Sequence, residues 1–168
     1  MKTRAFGRTG RRVSEIGFGA WGIGGAQWGG ADEAESMATL HAALDHGIDF
    51  FDTADVYGDG LSERLIARLR RERTEPFFVA TKAGRRLNPH VADGYNEAKL
   101  TAFVDRSLTN LAVERLDLVQ LHWWDYDIPG YVDAARWLHD LERRGKIRHV
   151  GATNFDAEHL LVSRPGST

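Results

Sequence analysis

Gly47-Ile48-Asp49-Phe50-Phe51-Asp52-Thr53-Ala54-Asp55-Val56-Tyr57-Gly58-Asp59-Gly60 is the stretch whose reading decides the fold. Gly47 suits the left-handed turn that stops a helix. Ile48 to Asp52 is apolar and aromatic enough for a short strand buried on both faces. Gly58 and Gly60 punctuate the loop that follows. Asp52 then stands at the strand's C-terminal end and Tyr57 in the next loop, which is the end where parallel α/β sheets bind ligands. A carboxylate and a phenol there point to proton chemistry. The plain alternative is a capping aspartate and a packed tyrosine ring.

Working outward, strands and helices alternate. A small hairpin is expected over Arg4 to Val13, then a first core strand from Val13 to Ala20 and a glycine-rich loop from Trp21 to Gly30. A helix from Asp32 to His46 carries Met37, Leu40 and Leu44 on one face. After the opening strand come a helix over Ser62–Arg73 and a strand over Pro76–Lys82. A loop holding Asn88-Pro89 leads to a helix over Asn96–Leu111, with Leu100, Phe103, Val104, Leu108 and Leu111 spaced for a buried stripe. A strand over Leu116–His122, a helix over Gly130–Arg144 closed by Gly145, a strand over Arg148–Ala152 and a short helix from Asp156 complete the pattern. Five such alternations predict an α/β fold with a parallel sheet and right-handed crossovers, as a doubly wound sheet or part of a (β/α)8 barrel.

Composition narrows the function classes. The 168 residues hold 22 lysines and arginines against 24 aspartates and glutamates, a net charge of −2, which argues against nucleic acid as the partner. The arginine-rich run Arg68 to Arg73 reads as a solvated helix face. Cysteine is absent, which removes disulfides and thiolate chemistry, and the seven histidines show no ligand-like spacing. No apolar run approaches the roughly 18 residues of a membrane span and no signal peptide is visible, so a cytoplasmic location is expected.

Gly17-Phe18-Gly19-Ala20-Trp21-Gly22 matches the dinucleotide fingerprint, but more glycines intervene before the helix. Asp52 also lies some thirty positions beyond Gly22, where about 20 is expected. A glycine-rich loop at the mouth of a site is the better account. Lys82 and His122 end two further strands on the same side as Asp52 and Tyr57. Taken singly, a strand-end lysine snorkels to solvent and a lone histidine is structural. Taken together, the four fit one task. An ammonium beside a phenol lowers its pKa from near 10, a carboxylate orients the ammonium, and an imidazole donates to a carbonyl oxygen gaining charge. None of them supplies hydride, so a cofactor is implied. A Schiff-base reading of Lys82 explains the lysine alone and leaves Tyr57 and His122 idle.

With these residues in view the chain resembles the N-terminal portion of the aldo/keto reductases. The matching motifs are Phe6-Gly7-Arg8-Thr9-Gly10, the opening stretch through Gly58, Val79-Ala80-Thr81-Lys82, Asp117 through His122, and Gly145 through Phe155. The resemblance implies a (β/α)8 barrel and reduction of an aldehyde or ketone by NADPH, with NADH left open. It implies Tyr57 as general acid, Asp52 and Lys82 tuning it, and His122 orienting the carbonyl. Asp52 is also implied beside the cofactor. Thr153 and Asn154 match the family's Ser-Asn pair that hydrogen-bonds the nicotinamide carboxamide, threonine keeping the hydroxyl. Trp21 and Trp123 fall where members line the substrate pocket, ordinary loop packing being the alternative for both.

A complete barrel takes about 250 residues. The expectation is therefore an incomplete barrel of about five β/α units behind a short N-terminal β-hairpin. It would occupy residues 1–162, with 163–168 a tail. Such a chain would be weakly active or inactive alone, or a non-catalytic binding module, and would self-associate through its open barrel edges. Its expected partner is a small-molecule carbonyl substrate, with neither nucleic acid nor membrane.

Overall fold

The computed structural model describes residues 1–25, 32–87, 90–123 and 125–162. The second half of the glycine-rich loop, the Asn88-Pro89 loop and the tail after residue 162 lie outside them. Two strands, β1 (Thr3–Ala5) and β2 (Arg12–Ser14), form an antiparallel hairpin with Arg4 opposite Val13. The remaining strands are β3 (Phe18–Gly19), β4 (Phe50–Asp52), β5 (Phe78–Ala83), β6 (Leu118–His122) and β7 (Val150–Thr153). They follow one another in the order β3-β4-β5-β6-β7, the order of the chain. Between them run α1 (Glu33–Asp45), α2 (Leu61–Glu72), α3 (Glu97–Leu111) and α4 (Tyr131–Arg143), and α5 (Ala157–Val162) follows β7. The chain divides into two compact units. One is Met1–Ala80 with Asn110–Ala112; the other is Thr81–Thr109 with Val113–Thr168.

In the first unit each helix forms where its apolar spacing requires. On α2, Leu65, Ile66 and Leu69 are buried, while Arg64, Arg68 and Arg71 stay in water. Arg68 bridges Glu72 one turn on at 2.7 Å and Glu33 of α1 at 3.0 Å on the solvated face, while Arg70 of the same run turns in over the Phe77 ring at 4.6 Å. The Asp32 side chain caps α1, accepting from the amides of Ala34 and Glu35. Gly47 ends that helix at φ 79°. Its amide donates to the Leu44 carbonyl, and Ile48 N–H donates to that of Ala43, a complete Schellman turn.

Strand β4 is less symmetrically buried than its composition implies. Phe51 is wholly buried against Phe18 and Phe77, with ring centroids 5.6 and 5.0 Å away. Phe50 and Asp52, on the other face, are half-buried. The hairpin serves that second face: Phe6 lies 5.0 Å from Phe50 and 5.6 Å from Phe78. The expected first strand over Val13–Ala20 is corrected to two pieces. Ser14 leaves the extended path because its amide donates to Asp49 Oδ1 (2.6 Å) and its hydroxyl to the Ile16 carbonyl (2.7 Å). Val13 therefore belongs to the hairpin, and only Phe18–Gly19 pairs with β4, Gly19 opposite Asp52.

In the second unit β6 and β7 run parallel, with Val119 opposite Val150 and His122 opposite Thr153. Leu118, Val119, Leu121 and His122 are buried, and α4 covers them with Ala134, Ala135, Leu138 and Leu141. Gly145 at φ 83° closes α4 with the same double turn as Gly47: its own amide donates to Glu142, and that of Lys146 to Leu141. On α3, Leu100, Val104 and Leu111 are buried as the spacing predicts, and Phe103 and Leu108 are half-buried.

Candidate active site

In the first unit Asp52 is the last residue of β4, and the chain then turns into the loop that carries Tyr57. A buried hydroxyl pair fixes the start of that loop. Ser62 Oγ donates to the Ala20 carbonyl at 2.9 Å, so its single proton is committed and Thr53 Oγ1 donates to it across 2.8 Å. The Tyr57 amide donates to the Ala54 carbonyl, and the Tyr57 carbonyl accepts from the Ser62 amide. The glycine-rich segment presses on the same loop. A methyl group on Gly24 would stand 2.9 Å from Gly58 N and Tyr57 C, and one on Gly58 would stand 2.1 Å from the Gly24 carbonyl oxygen. Glycine is needed here because two backbones touch. Trp21, just before this contact, is 49% exposed, while Tyr57 is half-buried.

The second unit carries the other candidate residues. Lys82 is the penultimate residue of β5 and only 5% exposed, so it does not snorkel. His122 ends β6 at 4% exposure. Its imidazole is pushed down from 6.5 to about 4, first by burial and then by the positive charges of Lys82 and Arg85. At neutral pH it is an uncharged ring that can donate a hydrogen bond without carrying a surplus proton. Thr153 ends β7 directly opposite His122. Asn154 follows at φ 66°, and its Nδ2 donates to the Trp123 carbonyl at 3.2 Å. With the amide's donor turned to that carbonyl, Oδ1 is the acceptor it presents. Trp123 is wholly buried, its indole N–H donating to the Asp125 carbonyl at 2.8 Å and its ring against Tyr95 and His90. Tyr95 in turn donates its hydroxyl to the Gly84 carbonyl just past Lys82.

The roles of Ser62 and Gly24 are not marked in the sequence, except that Gly24 falls within the glycine-rich loop. Among the described residues no group of three or more acidic, histidine or cysteine side chains could hold a metal. Nor is any helix among them long and apolar enough to cross a membrane.

A family model described as the aldo/keto reductase family matches residues 15–162. The chain is 37% identical over 167 residues to the aldo-keto reductase YhdN of Bacillus subtilis, covering 98% of this chain and 50% of that protein. Among solved structures it is similar to the glycerol dehydrogenase of Gluconobacter oxydans, at 36% identity and a TM-score of 0.82, covering 96% of this chain and 51% of that one. An aldo-keto reductase of Klebsiella pneumoniae, solved in complex with NADPH, is similar at 29% identity and a TM-score of 0.74, with coverage of 96% and 52%. The chain thus spans about half the length of the relatives it matches. The parallel five-stranded order with its helices is that of an incomplete (β/α)8-type barrel, five β/α units behind a hairpin.

Proposed function

The chain belongs to the aldo/keto reductase family, and from that membership we propose that it serves the reduction of an aldehyde or ketone to an alcohol. The single observation that carries the reading is the buried, uncharged imidazole of His122 beside the buried ammonium of Lys82. A neutral imidazole donates a hydrogen bond to a carbonyl oxygen and polarises it. A protonated one would compete with the acid that must deliver the proton. Tyr57 is the proposed acid: its O–H proton passes to the carbonyl oxygen as that oxygen becomes an alkoxide. Lys82 stabilises the tyrosinate left behind, and Asp52 orients the lysine.

The residues present fit the nicotinamide end of a reduced dinucleotide. Thr153 offers a hydroxyl at the end of β7, opposite His122, and Asn154 offers Oδ1 because its Nδ2 already serves Trp123. NADPH is the proposed cofactor, consistent with the NADPH complex of the Klebsiella relative. When bound, such a group supplies the hydride to the carbonyl carbon. Trp21, exposed at the glycine-rich segment, is the proposed flank of the substrate; Trp123, also expected there, is wholly buried against Tyr95 and His90 and serves as loop packing.

Titrating the 168-residue chain with NADPH, read by quenching of tryptophan fluorescence with a thermal-shift control, tests this proposal. Saturable quenching with a raised Tm is the expected result. A folded chain that shows neither overturns the cofactor assignment.

A further inference from the structure

Tyr126 lies in the loop after β6, outside every motif discussed so far, yet it is tied to the turn that carries Asn154. Its hydroxyl donates to the Asn154 carbonyl at 2.6 Å and accepts from the Asp156 amide at 3.0 Å. One phenol therefore spans both ends of a turn whose first residue, Asn154, is a non-glycine at φ 66°. Asparagine enters that region more readily than other residues with a Cβ, and the phenol holds the main chain on both sides of it. The ring is itself fixed. His159 stacks on it with centroids 3.7 Å apart and planes 7° apart, and Phe155 meets it edge-on at 5.6 Å. The His159 ring nitrogen Nδ1 is 2.8 Å from the Asp156 carboxylate, and the same carboxylate accepts from the His159 amide. The Asn154 side chain is held by the same loop, through Nδ2 to the Trp123 carbonyl. The loop after β6 thus grips Asn154 at its main-chain carbonyl and at its side chain.

We propose that Tyr126 is a positioning residue for cofactor binding: its hydroxyl holds the Thr153–Asn154 turn in the shape that presents the Thr153 hydroxyl and Asn154 Oδ1 to a nicotinamide carboxamide. The inference rests on the cofactor reading above. It assigns the affinity of the site in part to a side chain that does not touch the cofactor. Pre-organising a polar pair in its bound geometry removes an ordering cost that binding would otherwise carry.

The test compares NADPH binding to the wild-type chain, Tyr126→Phe and Tyr126→Leu, with thermal shift on each. Tyr126→Phe keeps the ring on His159 and deletes only the hydroxyl. It should weaken NADPH roughly three- to tenfold, the usual worth of a hydrogen bond, and Tyr126→Leu should be no better. The 3-acetylpyridine analogue of NADPH, in which a methyl group replaces the carboxamide nitrogen, separates positioning from general loosening. The N–H that Asn154 Oδ1 would accept is then missing while the carbonyl facing the Thr153 hydroxyl remains, so Tyr126→Phe should lose less affinity for the analogue than for NADPH. If Tyr126→Phe binds NADPH as wild type does, or only Tyr126→Leu is weakened, the ring matters as packing and the proposal falls. It falls equally if Tyr126→Phe no longer folds, or loses the same factor for the analogue. Wild type failing to bind NADPH overturns the cofactor reading first, a different outcome from a bound wild type with an unaffected variant.

Discussion

Acidification should destabilise this chain through His122 in a window that the structure defines. The imidazole is 4% exposed and titrates at about 4 in the folded chain, against an ordinary value of 6.5. Burial is the largest cause, and the charges of Lys82 and Arg85 add to it. The folded state thus holds the ring neutral while the unfolded chain takes up a proton below 6.5. Its stabilising contribution is complete above 6.5 and shrinks as pH falls, by about 1.4 kcal/mol per pH unit. By pH 4 the loss is on the order of 3 kcal/mol, a large part of a typical domain's stability. Urea unfolding from pH 7.5 to 4.5, run on wild type and His122→Asn, isolates this group from the other six histidines, because only the difference between the two curves is read. The NMR titration of the His122 Cε1 proton gives the midpoint directly. Lys82→Met should raise that midpoint only part of the way, since burial remains. A wild-type midpoint above 6, or two stability curves that stay parallel below pH 6.5, would refute the reasoning.

Two further substitutions test the local accounts. Gly24→Ala places a methyl group 2.9 Å from two backbone atoms of the Tyr57–Gly58 link, neither of which is a yielding side chain; a loss of about 1–3 kcal/mol in urea unfolding is expected, and a change below 0.5 kcal/mol would show that the two loops do not press together. Asp32→Ala removes the acceptor of the Ala34 and Glu35 amides and should lower stability by about 1 kcal/mol, whereas Asp32→Asn should retain most of it; equal losses for both would mean the cap contributes through charge alone.

The helices were legible because apolar spacing and end signals agree. Asp32 before the periodic run of α1, Gly47 after that same run and Gly145 after α4 are local instructions that the structure executes as caps and turns. The strands were legible as a series but not in extent. Val13 to Ala20 is continuous enough in composition for one strand, yet a long-range bond from Ser14 to Asp49 breaks it, and no local pattern encodes such a partner. The candidate residues Asp52, Lys82 and His122 stood out because polar groups at the ends of apolar strands are conspicuous, whereas Thr153 and Asn154 entered only through the family resemblance. The supporting residues did not stand out. Ser62 looks like any first-turn serine, and Tyr126 gains its role only from Asn154 and Asp156, both well downstream in the chain.

The hairpin also sets a schedule. Phe6 is made well before the rings it packs against, Phe50 and Phe78. At roughly 5–20 residues per second, the interval before Phe78 exists is on the order of ten seconds. Two-stranded hairpins do not hold their shape alone in water. During synthesis the hairpin is therefore an unpaired, aromatic-bearing segment that waits in solvent, and arrival of β5 is the event that ends its exposure. A pause in translation before Phe78 would lengthen the time in which a chaperone, or a neighbouring nascent chain, can reach Phe6 first.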